Sequence, residues 1–162
     1  MKKRIVIKIG DIFCVEIDNK FKCYFQYIAT DMTVLNSSVI RVFKKRYQID
    51  YLPILDEIVK DEVYFYAHTI LRFGLINNAW YKIGKHNNLG NINDIWFKMY
   101  NDIGNPNMIK SYRWVIWKID QKQQLIGELT DNYKHIDLGI VLTYEDIVSK
   151  IATGDFLLKH ID

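Results

Sequence analysis

Hydrophobic and polar positions alternate most regularly between Ile9 and Ile28, where the chain reads I-G-D-I-F-C-V-E-I-D-N-K-F-K-C-Y-F-Q-Y-I. The pattern predicts two strands joined at Asp18-Asn19-Lys20. A loop of those residues sets Ile17 against Phe21, Val15 against Cys23 and Phe13 against Phe25, so one face becomes apolar. The other face pairs Glu16 with Lys22 and Cys14 with Tyr24, which places opposite charges together. A shorter loop at Asp18-Asn19 would set Val15 against Lys22. Because a one-residue slip turns a whole strand face over, burial selects the first register. Asp and Asn suit the turn, since they tolerate unusual backbone angles and bond their own backbone.

Asp31 to Ser38 is polar enough to be a connection, and Val39 to Tyr47 predicts a third strand, apolar first and basic last. Pro53 opens a short helical segment over Leu55 to Asp61, with Leu55, Ile58 and Val59 at helical spacing. Val63 to Phe73 alternates as a strand, Gly74 to Asn78 as a turn, and Trp80 to Ile83 as a strand returning alongside. Lys85 to Asp94 and Asn101 to Asn107 are Asn- and Gly-rich loops flanking a short aromatic strand, Ile95 to Tyr100. Tyr112 to Ile119 is apolar on both faces, the pattern of a central strand with cover on each side. It turns at Asp120 to Gln123 into Gln124 to Leu129. Thr130 is a candidate cap for one helical turn. Thr143 caps a clearer helix: Asp146 lies three residues on, Ile147, Val148 and Ile151 form the apolar stripe, and Gly154 stops it.

These elements predict an α+β fold that is mostly β. Its expected form is an antiparallel sheet, SH3-like or a partly open barrel, with a short middle helix and a C-terminal helix. The 162 residues are enough for one domain with a real core, so residues 1–162 are read as a single domain. Hydrophobic residues at 49% and charged residues at 25% are ordinary globular values. Aromatics are dense, with 11 Tyr, which suits both sheets and protein-binding surfaces. A net charge of +3 is too small to imply nucleic acid by itself. No apolar run is long enough for a membrane span, and Ile5 to Ile9 is too short for a signal core. A cytoplasmic protein is expected. Cys14 and Cys23 fit that compartment as free thiols, since the register points them to opposite faces.

Candidate chemistry is sparse. His68, His86, His135 and His160 are scattered and the two Cys lack zinc spacing, so no metal is expected. Nothing local lowers either thiol pKa, and glycine-rich phosphate and nucleophile-elbow motifs are missing, so no catalytic residue and no cofactor is assigned. Arg41, Lys44, Lys45 and Arg46 with Tyr47 could track a phosphate backbone, as small β modules do. The plainer reading is a solvated strand end whose charges discourage edge pairing. Asp56, Glu57, Asp61 and Glu62 crowd the short helix, flanked by Tyr64 and Tyr66. They read either as a charged docking patch or as the wet face of that helix. Of Trp114 and Trp117, which alternate faces, at most one should reach a surface.

The opening K-I-G-D-I-F-C-V-E-I-D-N-K-F-K-C-Y-F-Q-Y-I resembles the start of the immunity protein 26 family of bacterial polymorphic toxin systems. A G-D-I-F strand leads through an acidic turn into an aromatic strand ending in Q-Y-I. The later I-G-K, W-V-I-W-K-I and L-G-I-V segments are similar to that family too, and the resemblance runs from Lys8 to about Gly154. It implies a small cytoplasmic protein that neutralises a cognate toxin by stoichiometric binding, with no catalytic residues. The toxin would be its partner, and nucleic acid and membrane would not. A small β-sheet nucleic-acid-binding module is the alternative. If the toxin is a nuclease, its electropositive site would call for carboxylates. Asp56, Glu57, Asp61 and Glu62, with Tyr64 and Tyr66, are then the expected rim of the interface.

Overall fold

The computed structural model describes residues 3–102 and 106–162. The hairpin forms in the expected register. β1 (Asp11–Ile17) and β2 (Phe21–Asp31) pair Ile17 with Phe21, Val15 with Cys23 and Phe13 with Phe25. Asp18 and Asn19 take φ of 51° and 55°, a left-handed region that short polar side chains enter more readily than most.

The strands that follow are β3 (Ser37–Phe43), β4 (Val63–Thr69), β5 (Tyr81–Lys85), β6 (Trp96–Tyr100), β7 (Trp114–Lys118), β8 (Gln124–Gly127), β9 (Asp137–Leu138) and β10 (Val141–Leu142). The α-helices are α1 (Leu55–Ile58), α2 (Leu71–Ile76) and α3 (Tyr144–Thr153), and a 3-10 turn spans Ile92–Asp94. They build one six-stranded sheet in the order β10-β4-β3-β2-β1-β5 and one four-stranded sheet in the order β8-β7-β6-β9. Pairing is antiparallel except for β10 with β4 and β6 with β9. The α+β, mostly β expectation holds, in the form of two open, mixed sheets with no closed barrel among the described residues.

Both faces of the larger sheet are covered. Phe13, Val15, Phe25, Ile40, Val42, Phe65 and Ala67 pack beneath Leu71 of α2 and Ile147 and Ile151 of α3. The opposite face is shared. Ile12, Cys14, Tyr24 and Phe43 receive Tyr47, Ile58 and Val59. Ile28, Ala29 and Val39 receive Phe97, Val115 and Trp117 of the smaller sheet. Double cover explains why β1 and β3 are buried almost throughout rather than at alternate positions. Trp114 lies on the far side of the smaller sheet against Tyr100 and Leu129, so neither tryptophan of β7 reaches the surface. The capping box on α3 is complete: Thr143 Oγ1 accepts from the Asp146 amide, the Asp146 carboxylate accepts from the Thr143 amide, and Gly154 closes the helix at φ 90°.

Several boundaries move for identifiable reasons. The strand expected through Phe73 ends at Thr69, and the chain turns into α2. Leu71 and Leu75, four apart, point into the core, and the Trp80 ring lies flat against Gly74, where an added Cβ would come within 2.0 Å of it. The turn expected at Gly74 therefore falls after Ile76. β5 does not return beside β4 as a second hairpin. Beyond α2 it reaches the other side of the sheet and pairs with β1. β3 ends at Phe43, and Tyr47 rejoins the sheet only by a bridge to Lys22. α1 is a single turn, and the residues after Thr130 form turns rather than a helix. The loop expected at Asn101 to Asn107 lies partly outside the described residues.

Cys14 and Cys23 are free and buried on opposite faces of the hairpin. Burial raises both thiol pKa values, that of Cys23 to about 11. A water-soluble aromatic disulfide reagent should therefore label neither thiol in the native protein and both in guanidinium, and intact mass should show two free thiols. Fast native labelling of either would contradict this packing.

Candidate functional site

The acidic group sits on the segment that covers part of one face of the larger sheet. Ile58 and Val59 anchor that segment, and a cluster of Tyr24, Tyr47 and Tyr51 lies beside them. This leaves Asp56 and Glu57 of α1 pointing outward. Each carboxylate has a neighbour. His86 donates from Nε2 to Asp56 at 2.7 Å, with its Nδ1 accepting from the Asn88 amide at 2.9 Å. Glu57 accepts from the Tyr51 hydroxyl at 3.3 Å, Asp61 from the Tyr47 hydroxyl, and Glu62 lies 3.9 Å from Lys44. Burial, reinforced by the bond to Asp61, raises the Tyr47 pKa, so the phenol stays a donor.

The two tyrosines expected beside these carboxylates part company. Tyr64 is partly exposed, with Lys150 of α3 above its ring. Tyr66 turns toward the smaller sheet, where it packs beside Phe97, and its amide donates to Asp137 at 2.9 Å. Asp56, Glu57 and Glu62 are exposed on this segment, Asp61 is half-buried against Tyr47, and Tyr66 lies apart from them.

The basic run is divided as well. Arg41 is buried and cannot track a backbone. Its Nε donates to Gln26 Oε1 at 2.9 Å and its Nη2 to the Asn88 carbonyl at 2.7 Å. Burial lowers its pKa. Lys45 and Arg46 remain outside, each over an aromatic ring: Lys45 above Tyr47 and Arg46 above Phe21.

One polar site escaped the sequence pattern. Asp31, read as part of a connection, is fully buried. Its Oδ2 accepts from His68 Nε2 and Trp117 Nε1, both at 2.9 Å, and its Oδ1 from the Asp120 amide at 3.1 Å. These partners lie 37, 86 and 89 residues away, beyond the reach of any local motif. Among the described residues no three His, Cys, Asp or Glu side chains are grouped to hold a metal, and no helix is long and apolar enough to cross a membrane.

The profile of the immunity protein 26 family matches residues 8–108, and the chain belongs to that family. The match begins at the expected Lys8 and stops well before Gly154, so it takes in β1 to β6 and leaves out β7 to β10 and α3. No curated protein and no solved structure matches the chain.

His68 carries a pH signature. Burial lowers its pKa below 6.5, against the opposing pull of Asp31. A group whose folded pKa is depressed contributes stability above its unfolded pKa and loses it as pH falls. Asp137, whose carboxyl is pushed up to about 6 by burial, acts in the opposite sense. The comparison is therefore with His68→Gln, in which Asp137 is unchanged. Between about pH 7.5 and about pH 5, the urea midpoint of the natural chain should fall more than that of His68→Gln. Equal slopes would show that His68 is not held neutral.

Proposed function

We propose that this protein is an immunity protein that neutralises a cognate toxin of a bacterial polymorphic toxin system by binding it one to one in the cytoplasm. The family match over residues 8–108 carries this reading. Inhibition is by occlusion rather than turnover, and the whole chain acts as one domain. The surface around α1 supports a charged contact: Asp56, Glu57 and Glu62 are exposed on elements that buried residues hold in place. Fixed exposed carboxylates raise association rates with a basic site such as that of a nuclease, because steering acts before contact.

Co-expression with a cognate toxin should rescue growth, and the two chains should elute together at equal stoichiometry. Failure of both would remove the reading. The acidic surface is tested separately by reversing Asp56, Glu57 and Glu62 to Lys while keeping Asp61, whose bond to Tyr47 is part of the packing. Association at low salt should slow by about tenfold or more, with dissociation changed far less. An unchanged on-rate in a folded variant would move the interface elsewhere, with the loop from Lys85 to Asp94 next in line.

A further inference from the structure

We propose that a recess between β3, β4 and α3 binds a carboxylate side chain presented by a protein partner, a proposal that rests on the binding role given above. The recess has a volume of about 290 Å³. Its floor is apolar, formed by Cys23 and Ile151, each 3% exposed. Its rim is Lys44, Arg46 and the ring of Tyr64. Lys150 adds a third cation, with Nζ 5.6 Å from the centre of the Tyr64 ring and 5.1 Å from that of Phe156.

Ring faces hold the Arg46 and Lys150 cations of this rim, and Lys150 also lies within electrostatic reach of the buried Asp137 carboxyl. The Arg46 guanidinium lies 4.1 Å from the centre of the Phe21 ring. A ring face orients a cation but takes up none of its directed N–H bonds. Among the described residues no carboxylate lies within ion-pair distance of Arg46 or Lys150, and Lys44 has only Glu62, at 3.9 Å with both side chains mostly exposed. Three cations therefore converge on one recess with donors to spare. A carboxylate on an aliphatic stem fits both parts, its oxygens meeting the rim and its methylenes the apolar floor.

Nucleic acid fits less well. Single strands need free ring faces on which bases stack, together with a cationic track. Here Phe21, Tyr47 and Tyr64 are each already covered by Arg46, Lys45 and Lys150. Arg41, which would extend the track, is buried.

The test uses the full chain and two probes, a capped hexaglutamate peptide and oligothymidylate, followed by amide NMR shifts and by salt dependence. Hexaglutamate should shift the signals of Cys23, Arg46, Tyr64 and Ile151. Arg46→Ala with Lys150→Ala should weaken it by about tenfold or more, as expected when two charge-assisted contacts are lost. A control of equal net charge, Lys60→Ala with Lys122→Ala, should bind like the natural chain. Thermal unfolding is measured first, and Arg46→Gln alone replaces the double variant if that one melts early. Absence of shifts at the recess, equal weakening by the control, or stronger and better localised shifts with oligothymidylate would each overturn the proposal. Because the peptide is titrated against the isolated chain, the result is independent of whether a toxin is neutralised.

Discussion

The fold depends on one buried carboxylate. Asp31 ends β2 at the junction of the two sheets, where water cannot reach it. An ionised carboxylate in such a place costs several kcal/mol unless its oxygens are bonded. Here β4 supplies His68, β7 supplies Trp117, and the turn after β7 supplies the Asp120 amide. Hydrophobic contact alone would let the smaller sheet slide over Ile28, Ala29 and Val39. Directed bonds to a single carboxylate fix where β7 crosses, and Phe97 and Trp117 then pack around the His68 ring.

A second polar seam holds the other half of the same face. Gln26 and Arg41 are opposite one another on β2 and β3, and both are buried. Gln26 passes its amide hydrogens to the carbonyls of Gly10 and His86, while Arg41 reaches the carbonyl of Asn88. Gly90, at φ 75°, lies so close that an added Cβ would come within 2.5 Å of the guanidinium. The stretch from Lys85 to Asp94 is thereby tied to the sheet interior despite its loop-like composition. His86 in that stretch also bonds Asp56, so the buried guanidinium and this exposed carboxylate of α1 belong to one chain of contacts.

This explains which features were legible in the sequence. The hairpin register, the central strand Trp114–Lys118 and the box at Thr143 are set by side chains within a few residues of one another, and periodicity reports such relations. Arg41 and Asp31 carried the opposite impression, since charge in a polar context normally means solvent. Their partners come from distant elements, and only the assembled sheets reveal them. The fate of Leu71 to Ile76 was partly visible: Leu71 and Leu75 have helical spacing, but alternation from Phe65 onward masked it. Of the candidate site, the carboxylates of one short segment were legible because they are near in sequence. The departure of Tyr66 was not, because it depends on where the smaller sheet lies. The cationic recess was hidden for the same reason, since Lys150 joins Lys44 and Arg46 only through the packing of α3.

The two charged surfaces share a border, and that border has a physical consequence. Glu62 and Lys44 face each other across it at 3.9 Å, a separation at which two exposed side chains contribute little to stability. On one side lie the carboxylates of α1, on the other the cations above Phe21 and Tyr64. A net charge of +3 spread over such a molecule makes a weak overall field, so attraction at long range is small. At short range the juxtaposed signs form a dipole, and a dipole favours one orientation of a complementary partner over its reverse. Like charges brought together in the reversed pose cost several kcal/mol, whereas matched ones add modestly to affinity. A surface of this kind discriminates between partners of similar shape more than it tightens binding to any of them. That suits a protein whose proposed task is to bind one cognate toxin.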